Sequence, residues 1–362
     1  MASIATKQTK ETGIIGWVRE NSRLLALLVG MLLLPFVIAL FNGQSISDVL
    51  NSESGSAKFW QGLLIEVFIL AIYAISYDLV LGVTGLLSFG HAMFFAVGAY
   101  FTGIALKSFE WGIGLTLVGL VVAGVLQALL FGVVLPRVRG ITFALVTLGI
   151  ASMFHIVIQA SEVAEWTGAD VGLQGVIAPD FLNVANERFR FYVIVLVALF
   201  FVYLIYRRFL DSPTGRVCVA IRENEDRALM LGYNTFYFKL TALIVASITA
   251  ALAGFFHTIY QPIVSPNVAS LGWTVAALLI ILMGGVGTLS GAVVGAAVFR
   301  LLEYWLDNTF GEAASFLLGL IYVGIVLFLP FGIVGTYRAR KLDIQRGRKR
   351  LISLLTGGER EE

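Results

Sequence analysis

The sequence predicts an all-α, polytopic membrane protein with about ten transmembrane helices. Of its 362 residues, 58% are hydrophobic and only 13% are charged, whereas a soluble domain carries about 25% charged residues. The apolar residues form runs of about 20, the length that an α-helix needs to cross the hydrocarbon core of a bilayer. These runs lack the alternation of barrel strands. The composition therefore excludes an ordinary soluble fold and an intrinsically disordered chain.

The predicted spans follow one another with short turns of Gly, Pro or charged residues between most of them. Their approximate limits are 24–41, 60–83, 86–106, 112–135, 141–160, 190–209, 238–260, 272–286, 290–307 and 315–335. The eighth span is short, and a glycine-rich turn separates it from the ninth. These two segments either cross the membrane or form a re-entrant hairpin, because irregular backbone is tolerated at membrane depth where protein or water covers it.

The first apolar run follows Lys7, Lys10, Arg19 and Arg23, as the hydrophobic part of a signal peptide does. It is longer than the usual hydrophobic region of about 7–15 residues, and no A-x-A cleavage site follows it. We therefore expect a retained anchor helix. The single cysteine, Cys218, excludes an internal disulfide.

The distribution of basic residues predicts the orientation in the membrane. Residues 1–23, the turn 136–140, the loop 207–239 and the tail from 336 hold 4, 2, 6 and 8 of the 25 Lys and Arg residues. The intervening outer segments hold only four of them, and the large outer loop 161–189 is acidic. By the positive-inside rule, both termini face the cytoplasm. The predicted organisation is a cytoplasmic segment 1–23, a transmembrane domain 24–335 and a basic cytoplasmic tail 336–362.

Few ionisable side chains lie within the predicted spans, where each charge costs roughly 2.5–3.5 kcal/mol on insertion scales. Arg300 and Glu303 are three residues apart on one helix face and are predicted to neutralise each other. Glu66 and Asp78 lie near opposite ends of one span, and each either sits at an interface or lines a pathway. His91 has the same two interpretations, as a packing residue or as a pathway residue.

Motifs for enzymatic activity are missing from the sequence. No Lys follows a Gly, so the core of a phosphate-binding P-loop is absent. The His and Cys residues lack metal-ligand spacing. Ser290-Gly291 resembles an intramembrane serine protease only weakly, because the Gly two residues before the Ser is missing. Gly291 and Gly295 instead have the spacing of a helix-packing seam. We therefore expect no catalytic residues, cofactor or metal in this chain.

The loop 207–239 is the one strongly polar internal segment. Residues 221–231 are predicted to form a short amphipathic helix with Ile221, Ala228 and Leu231 on its apolar face and Gly232 as its stop. The charges of this helix are mixed in sign, so an anionic membrane surface attracts it weakly. We therefore predict that the loop docks a soluble partner rather than lying on the membrane.

Asp226, Ala228 and Gly232 match the "EAA" coupling loop of ABC importer permeases, although Arg227 replaces its first Ala. Five longer stretches are also recognisable, first of all residues 78–100 and then 137–148, 212–234, 270–273 and 284–296. Together they resemble the LivM-type branched-chain amino acid permeases of ABC importers. The resemblance covers about residues 60–335, and not the first 60 residues or the tail after 340.

This resemblance implies a type II-like ABC importer permease with a cytoplasmic coupling helix in the loop 211–236. It implies a position in the bacterial inner membrane, beside a LivH-like second permease. Two ATPase subunits on the cytoplasmic side would hold ATP and Mg, and an extracytoplasmic binding protein would deliver the substrate. The chain itself would then form half of the translocation pathway.

The resemblance also assigns roles to individual residues. The ATPase-coupling set is Arg222, Glu223, Asn224, Glu225, Asp226, Arg227, Ala228 and Gly232. The candidate pathway set is Asp78, Gly85, Ser88, Gly90, His91, Gly284, Gly285 and Gly287. In the outer loop 161–189, Trp166 and Asp170 are candidates for docking the binding protein.

The sequence leaves more than one substrate and more than one mechanism open. The favoured substrates are branched-chain or related apolar amino acids, but the family also includes permeases for urea and short amides. A self-sufficient secondary transporter or channel would use Glu66 and Asp78 as ion or proton sites. A structural or assembly subunit of a membrane complex is a third class.

Overall fold

The structure, a computed structural model, describes residues 21–50, 55–185 and 187–337. Most of the predicted N-terminal segment and nearly all of the predicted basic tail lie outside the described residues. The helices are α1 (Ser22–Phe41), α2 (Ile46–Leu50), α3 (Ser56–Asp78), α4 (His91–Lys107), α5 (Ile113–Gly132), α6 (Ile141–Gln159), α7 (Ala164–Thr167), α8 (Arg188–Asp211), α9 (Pro213–Glu223), α10 (Glu225–Met230), α11 (Thr235–Tyr260), α12 (Leu271–Gly284), α13 (Leu289–Phe310) and α14 (Ala314–Phe328). A π-helical turn, Leu79–Val83, continues α3. Strands β1 (Leu173–Gln174) and β2 (Ile263–Val264) form a small antiparallel pair.

The all-α membrane fold is confirmed, because each predicted apolar run is occupied by helix. Within the described residues, seven stretches are long and apolar enough to cross a membrane, and the last of them, Leu289–Tyr337, contains both α13 and α14. Helix α12 has only 14 residues, so it is shorter than the run of about 20 that a full span needs. The count of ten spans stays a prediction.

The loops gather at two ends of the bundle, in the alternation that the predicted orientation requires. At one end, Arg139 Nη1 lies 3.0 Å from Asp226 Oδ1 and joins the turn 136–140 to the loop 207–239. At the other end, β1 pairs with β2, and Lys107 Nζ donates to Gln174 O at 2.8 Å. We call these the predicted cytoplasmic end and the predicted outer end.

Helix α3 is the centre of the bundle. It packs against α1, α8, α11, α12 and α13. Of the most apolar stretch of this span, 89% is buried inside the protein. The corresponding share is 28% for both α5 and α6. A helix that is apolar all round can be buried on every side, which explains the position of α3. Helices α5 and α6 leave most of their surface outside the core of this chain.

Glycines allow two helix pairs to meet backbone to backbone. In the α4–α11 pair, a Cβ atom at Gly254 would lie only 2.2 Å from Phe95 O. In the α12–α13 pair, a Cβ at Gly284 would lie 1.8 Å from Gly291 O, and one at Gly295 would lie 2.0 Å from Ile280 O. The predicted packing seam of Gly291 and Gly295 is therefore confirmed.

We expect Gly254→Val to prevent normal folding, because the added side chain would overlap the backbone of α4. Overpacking a core costs typically about 1–3 kcal/mol, and a backbone that cannot move aside raises that cost. The yield of monodisperse protein and its melting temperature would measure the effect. Gly319→Val in α14 is the control, since no atom lies within 4 Å of a Cβ placed there. Equal yield and stability of the two variants would contradict the proposed crossing.

Candidate functional site

The polar loop at the predicted cytoplasmic end contains two helices, so the prediction of one helix over 221–231 is wrong. Helix α9 ends at Glu223, and α10 begins at Glu225. Between them Asn224 is extended, with φ −163° and ψ 103°, and its Oδ1 accepts a hydrogen bond from Arg227 N at 2.9 Å. An N-capping side chain of this kind starts a new helix. The predicted stop at Gly232 is confirmed, because its φ of +87° is one that glycine adopts readily.

An ion pair ties α10 to the beginning of α11. Glu225 Oε1 lies 2.5 Å from Lys239 Nζ and accepts from Thr235 Oγ1 at 2.9 Å, and Arg139 lies 3.9 Å from its other oxygen. Burial raises the pKa of Glu225, but the hydrogen bonds and charges of these partners outweigh burial and lower the pKa overall. The carboxylate therefore stays ionised at neutral pH, and Glu225 serves to hold the loop.

Arg222 joins the loop to the membrane-spanning helices. Its guanidinium donates to Gly82 O in the π-helical turn, and a Cβ at Gly85 would lie 2.7 Å from Arg222 Cγ. Next to it, Asp78 Oδ1 accepts from Gly287 N at 2.7 Å. We call Asp78, Gly82, Gly85, Arg222 and Gly287 the inner cluster.

The inner cluster connects three parts of the protein that are distant in sequence: the end of α3, the end of α9 and the α12–α13 turn. The π-helical turn presents the Gly82 carbonyl to Arg222, and π-helical turns are frequent at functional sites. Gly287 has a φ of +74°, which glycine adopts readily, and this conformation lets the α12–α13 turn pass beside Asp78. The sequence analysis named four of these residues but missed Gly82 and the contact among them.

The exposed surface of the loop is partly apolar. Met230 is 81% exposed and Leu231 is 72% exposed, beside the charged and solvent-facing Glu223 and Asp226. We call Glu223, Asp226, Met230 and Leu231 the docking face. The sequence analysis placed Leu231 on a buried face together with Ile221 and Ala228, which are indeed buried. The run Leu229–Leu231 was the available signal, since three consecutive residues of a helix cannot all share one face.

The predicted pathway residues at the start of α4 are packed between helices. His91 is fully buried, and its Nε2 lies 2.8 Å from Ser76 Oγ. The carbonyl of Ser88 accepts from Tyr77 Oη at 3.0 Å, and a Cβ at Gly90 would meet the backbone of α6. Of the other members of this set, Gly284 and Gly285 are buried at the end of α12. Their role in a pathway stays a prediction.

A cavity of about 490 Å³ lies near the predicted outer end, between α3, α11, α12 and α13. Its lining residues are Glu66, Ile69, Leu70, Tyr73, His257, Gln261, Ile263, Ser265, Asn267, Val268, Gly272, Trp273, Ala276, Phe299, Arg300 and Glu303. None of the eight predicted pathway residues is among them. Sequence reasoning missed this cavity because more than 230 residues separate Glu66 from Arg300 along the chain.

Three charged side chains meet in this cavity. The predicted pair of Arg300 and Glu303 is confirmed, with Nη1 and Oε2 2.7 Å apart. Glu66 joins them, because its Oε2 accepts from Arg300 Nε at 2.5 Å and lies 2.5 Å from Nη2. We call this group the outer triad.

Trp166 and Asp170, the candidate docking residues for a binding protein, lie in the loop 161–189, and their docking role stays a prediction. Trp166 is exposed and stacks on Phe109 with ring centroids 5.5 Å apart, and Asp170 is exposed. The β1–β2 pair holds this loop against the segment after α11. In the part of the chain that the structure describes, no group of three or more His, Cys, Asp or Glu residues could hold a metal ion.

A bundle of apolar helices with a polar loop at one end and a charged cavity at the other is typical of a multi-pass membrane transport protein. The family model described as "Branched-chain amino acid transport system / permease component" matches residues 60–329, and this chain belongs to that family. The match begins within α3 and continues through α14, and it includes the docking face, the inner cluster and the outer triad. The resemblance stated from the sequence, and the permease class that it implied, are confirmed.

Curated relatives carry the same description. The high-affinity branched-chain amino acid transport system permease protein LivM of Salmonella typhimurium is 30% identical over 291 residues, 73% of this chain and 67% of that protein. The LivM protein of Escherichia coli K12 is 29% identical over 76% of this chain and 70% of its own length. The LivH protein of Salmonella typhimurium is 23% identical over 75% of this chain and 93% of its own length. No solved structure matches the chain.

Proposed function

We propose that this chain is the transmembrane permease subunit of an ATP-driven ABC importer and forms half of a pathway for branched-chain amino acids. The observation that carries the proposal is the construction of the loop. On one side, Arg222 and Glu225 bind it to the transmembrane helices; on the other, it presents the docking face to solvent. The names of the LivM and LivH relatives support the choice of substrate.

The partners follow from what this chain contributes and what it does not. The sequence has no P-loop lysine, so ATP and Mg belong to two separate ATPase subunits, which seat the docking face. A LivH-like permease supplies the other half of the pathway, and an extracytoplasmic binding protein approaches Trp166 and Asp170. The distribution of basic residues supports a position in the cytoplasmic membrane with both termini inside.

Motion of the ATPase subunits would reach the pathway through α9. Pro213 occupies the first turn of this helix, and Ser212 Oγ caps it by accepting from Gly215 N at 3.2 Å. A capped helix of 11 residues with its far end bound to Gly82 transmits a displacement with little bending. The inner cluster then passes that displacement to α3 and to the α12–α13 turn, where the hydrogen bond from Gly287 to Asp78 couples the two elements.

The proposal is tested by reconstituting the chain in proteoliposomes with its second permease, its two ATPases and its binding protein. We expect ATP-dependent uptake of radiolabelled leucine by the full complex, weak competition by urea, and no uptake by this chain alone. The chain should also co-purify with the ATPases. Transport by the isolated chain without ATP would instead support a self-sufficient transporter, and uptake of urea in preference to leucine would replace the substrate.

A further inference from the structure

We propose that the cavity around the outer triad binds the zwitterionic backbone of an amino acid in transit through the permease. The inference rests on the proposed function and deepens it, because it assigns a substrate subsite within this chain. The subsite includes Glu66, for which the sequence left pathway lining open, but none of the eight residues of the candidate pathway set.

The charges of the cavity favour a ligand with a cationic group. Its ionised lining residues are Glu66, Arg300 and Glu303, whose formal charges sum to −1. Arg188 donates to Lys58 O at 3.2 Å and does not line this cavity. Among the described residues that line the cavity, one carboxylate is therefore in excess. An α-ammonium group beside Glu303, the more exposed of the two carboxylates, would balance it.

Hydrogen-bond donors in the cavity can receive a carboxylate. Arg300 donates to Glu66 through Nε and to Glu303 through Nη1, and its Nη2 lies 2.5 Å from Glu66. At least two of its five N–H groups are therefore not used by the triad. Ser265 and Asn267 also line the cavity and are exposed. Their hydroxyl and amide groups can donate hydrogen bonds to a carboxylate. These groups and the excess carboxylate together fit the two opposite charges of a zwitterion.

The remaining wall of the cavity is apolar. Ile69, Leu70, Val268 and Phe299 line it, and they offer contact to an aliphatic side chain. The volume of about 490 Å³ lies within the range of about 300–1,000 Å³ that small-molecule pockets occupy. A zwitterionic head beside an aliphatic side chain is the chemistry of a branched-chain amino acid, whereas urea carries no charge to balance the triad.

The position of the cavity suits a substrate that arrives from the outer side. It is lined by the end of α11, by β2 and by the first turns of α12, all near the predicted outer end. The β1–β2 pair connects this rim to the loop 161–189.

The first test is Glu303→Gln in the full reconstituted complex, which leaves the Glu66–Arg300 pair in place. We expect leucine uptake to fall about tenfold or more, the effect of losing one charged hydrogen bond to a ligand, while ATP hydrolysis and melting temperature stay close to native values. Glu187→Gln is the matched control, since Glu187 also pairs with an arginine three residues away, at 3.1 Å, but on the exposed surface. Uptake by Glu303→Gln within twofold of this control would overturn the proposal.

The second test leaves the triad unchanged. Ala276 lines the cavity, and Ala276→Cys can be modified with a bulky methanethiosulfonate reagent. The native thiol of Cys218 is buried, and burial raises its pKa to about 11, so it should not react. We expect this modification to block leucine uptake. We also expect leucine-loaded binding protein, added together with ATP, to slow the modification. Unchanged uptake after complete modification, or loss of the second permease from the complex, would overturn the proposal. Absence of leucine uptake by the unsubstituted complex would instead refute the proposed function.

Discussion

Replacing both Met230 and Leu231 with aspartate is expected to abolish ATP-driven uptake by preventing the ATPase subunits from binding. These two side chains are the most exposed apolar groups of the loop, 81% and 72% exposed, so the substitutions should leave the fold of the chain intact. In the complex, each aspartate would bury a charge without a partner. Such a group costs several kcal/mol, and about 1.4 kcal/mol already weakens binding tenfold.

Co-purification of the ATPases, together with leucine uptake in proteoliposomes, would measure this effect. Membrane insertion and binding-protein affinity should be unchanged, because the docking face lies at the opposite end from Trp166. The control is Ile46→Asp in α2, an apolar residue that is 66% exposed at the predicted outer end. ATPase binding by the Met230→Asp/Leu231→Asp variant at the level of this control would show that the docking face lies elsewhere.

The second large effect is expected from Arg222→Ala, which should separate ATP hydrolysis from transport. The guanidinium of Arg222 binds the π-helical turn at Gly82 and lies against Gly85, so alanine would disconnect α9 from the inner cluster. The docking face would remain, and the ATPases would still bind and hydrolyse ATP. A hydrogen bond to a charged group contributes roughly 1.5–3 kcal/mol, so leucine transported per ATP should fall about tenfold or more.

The ratio of leucine uptake to phosphate release in the reconstituted complex measures this coupling. Arg216→Ala is the matched control, because Arg216 is an exposed arginine of the same helix whose guanidinium donates to Asp211 O at 3.3 Å and not to the inner cluster. We expect its coupling ratio to stay within twofold of the native value. If Arg222→Ala retained the native ratio, the inner cluster would not carry the motion.

Sequence reasoning located the polar loop correctly but misjudged its interior. The mixed charges and the glycine that ends the helix could be recognised in the sequence, but the break at Asn224 could not. Asparagine also occurs inside helices, and it acts as an N-cap only where its own backbone leaves the helical conformation. Glu225 was assigned to a partner along with its charged neighbours. In the structure it pairs with Lys239, because the chain returns after Gly232 and brings α11 beside α10, and its contact with a partner stays a prediction.

The transmembrane sites show the same limit. The pairing of Arg300 with Glu303 followed from helical spacing, since residues three apart always share a face. That Glu66 completes the triad did not follow, because no local rule relates positions on α3 and α13 that are 234 residues apart. Likewise, Asp78 and Gly287 were both named, but only the packing of α12 against α3 makes them one hydrogen-bonded unit.

The sequence by itself determined that the chain lies in a membrane, the class of its fold, the alternation of its loops between two ends and its family. These features depend on composition, on the length of the apolar runs and on the positions of the basic residues. Each of these is known from the order of residues alone, without knowledge of how the helices pack. Only the tertiary structure decided where the cavity forms, which polar side chains meet in it, and which side of the loop is free for a partner. The physical reason is that those features depend on contacts between distant helices, and each such contact depends on how the other helices pack.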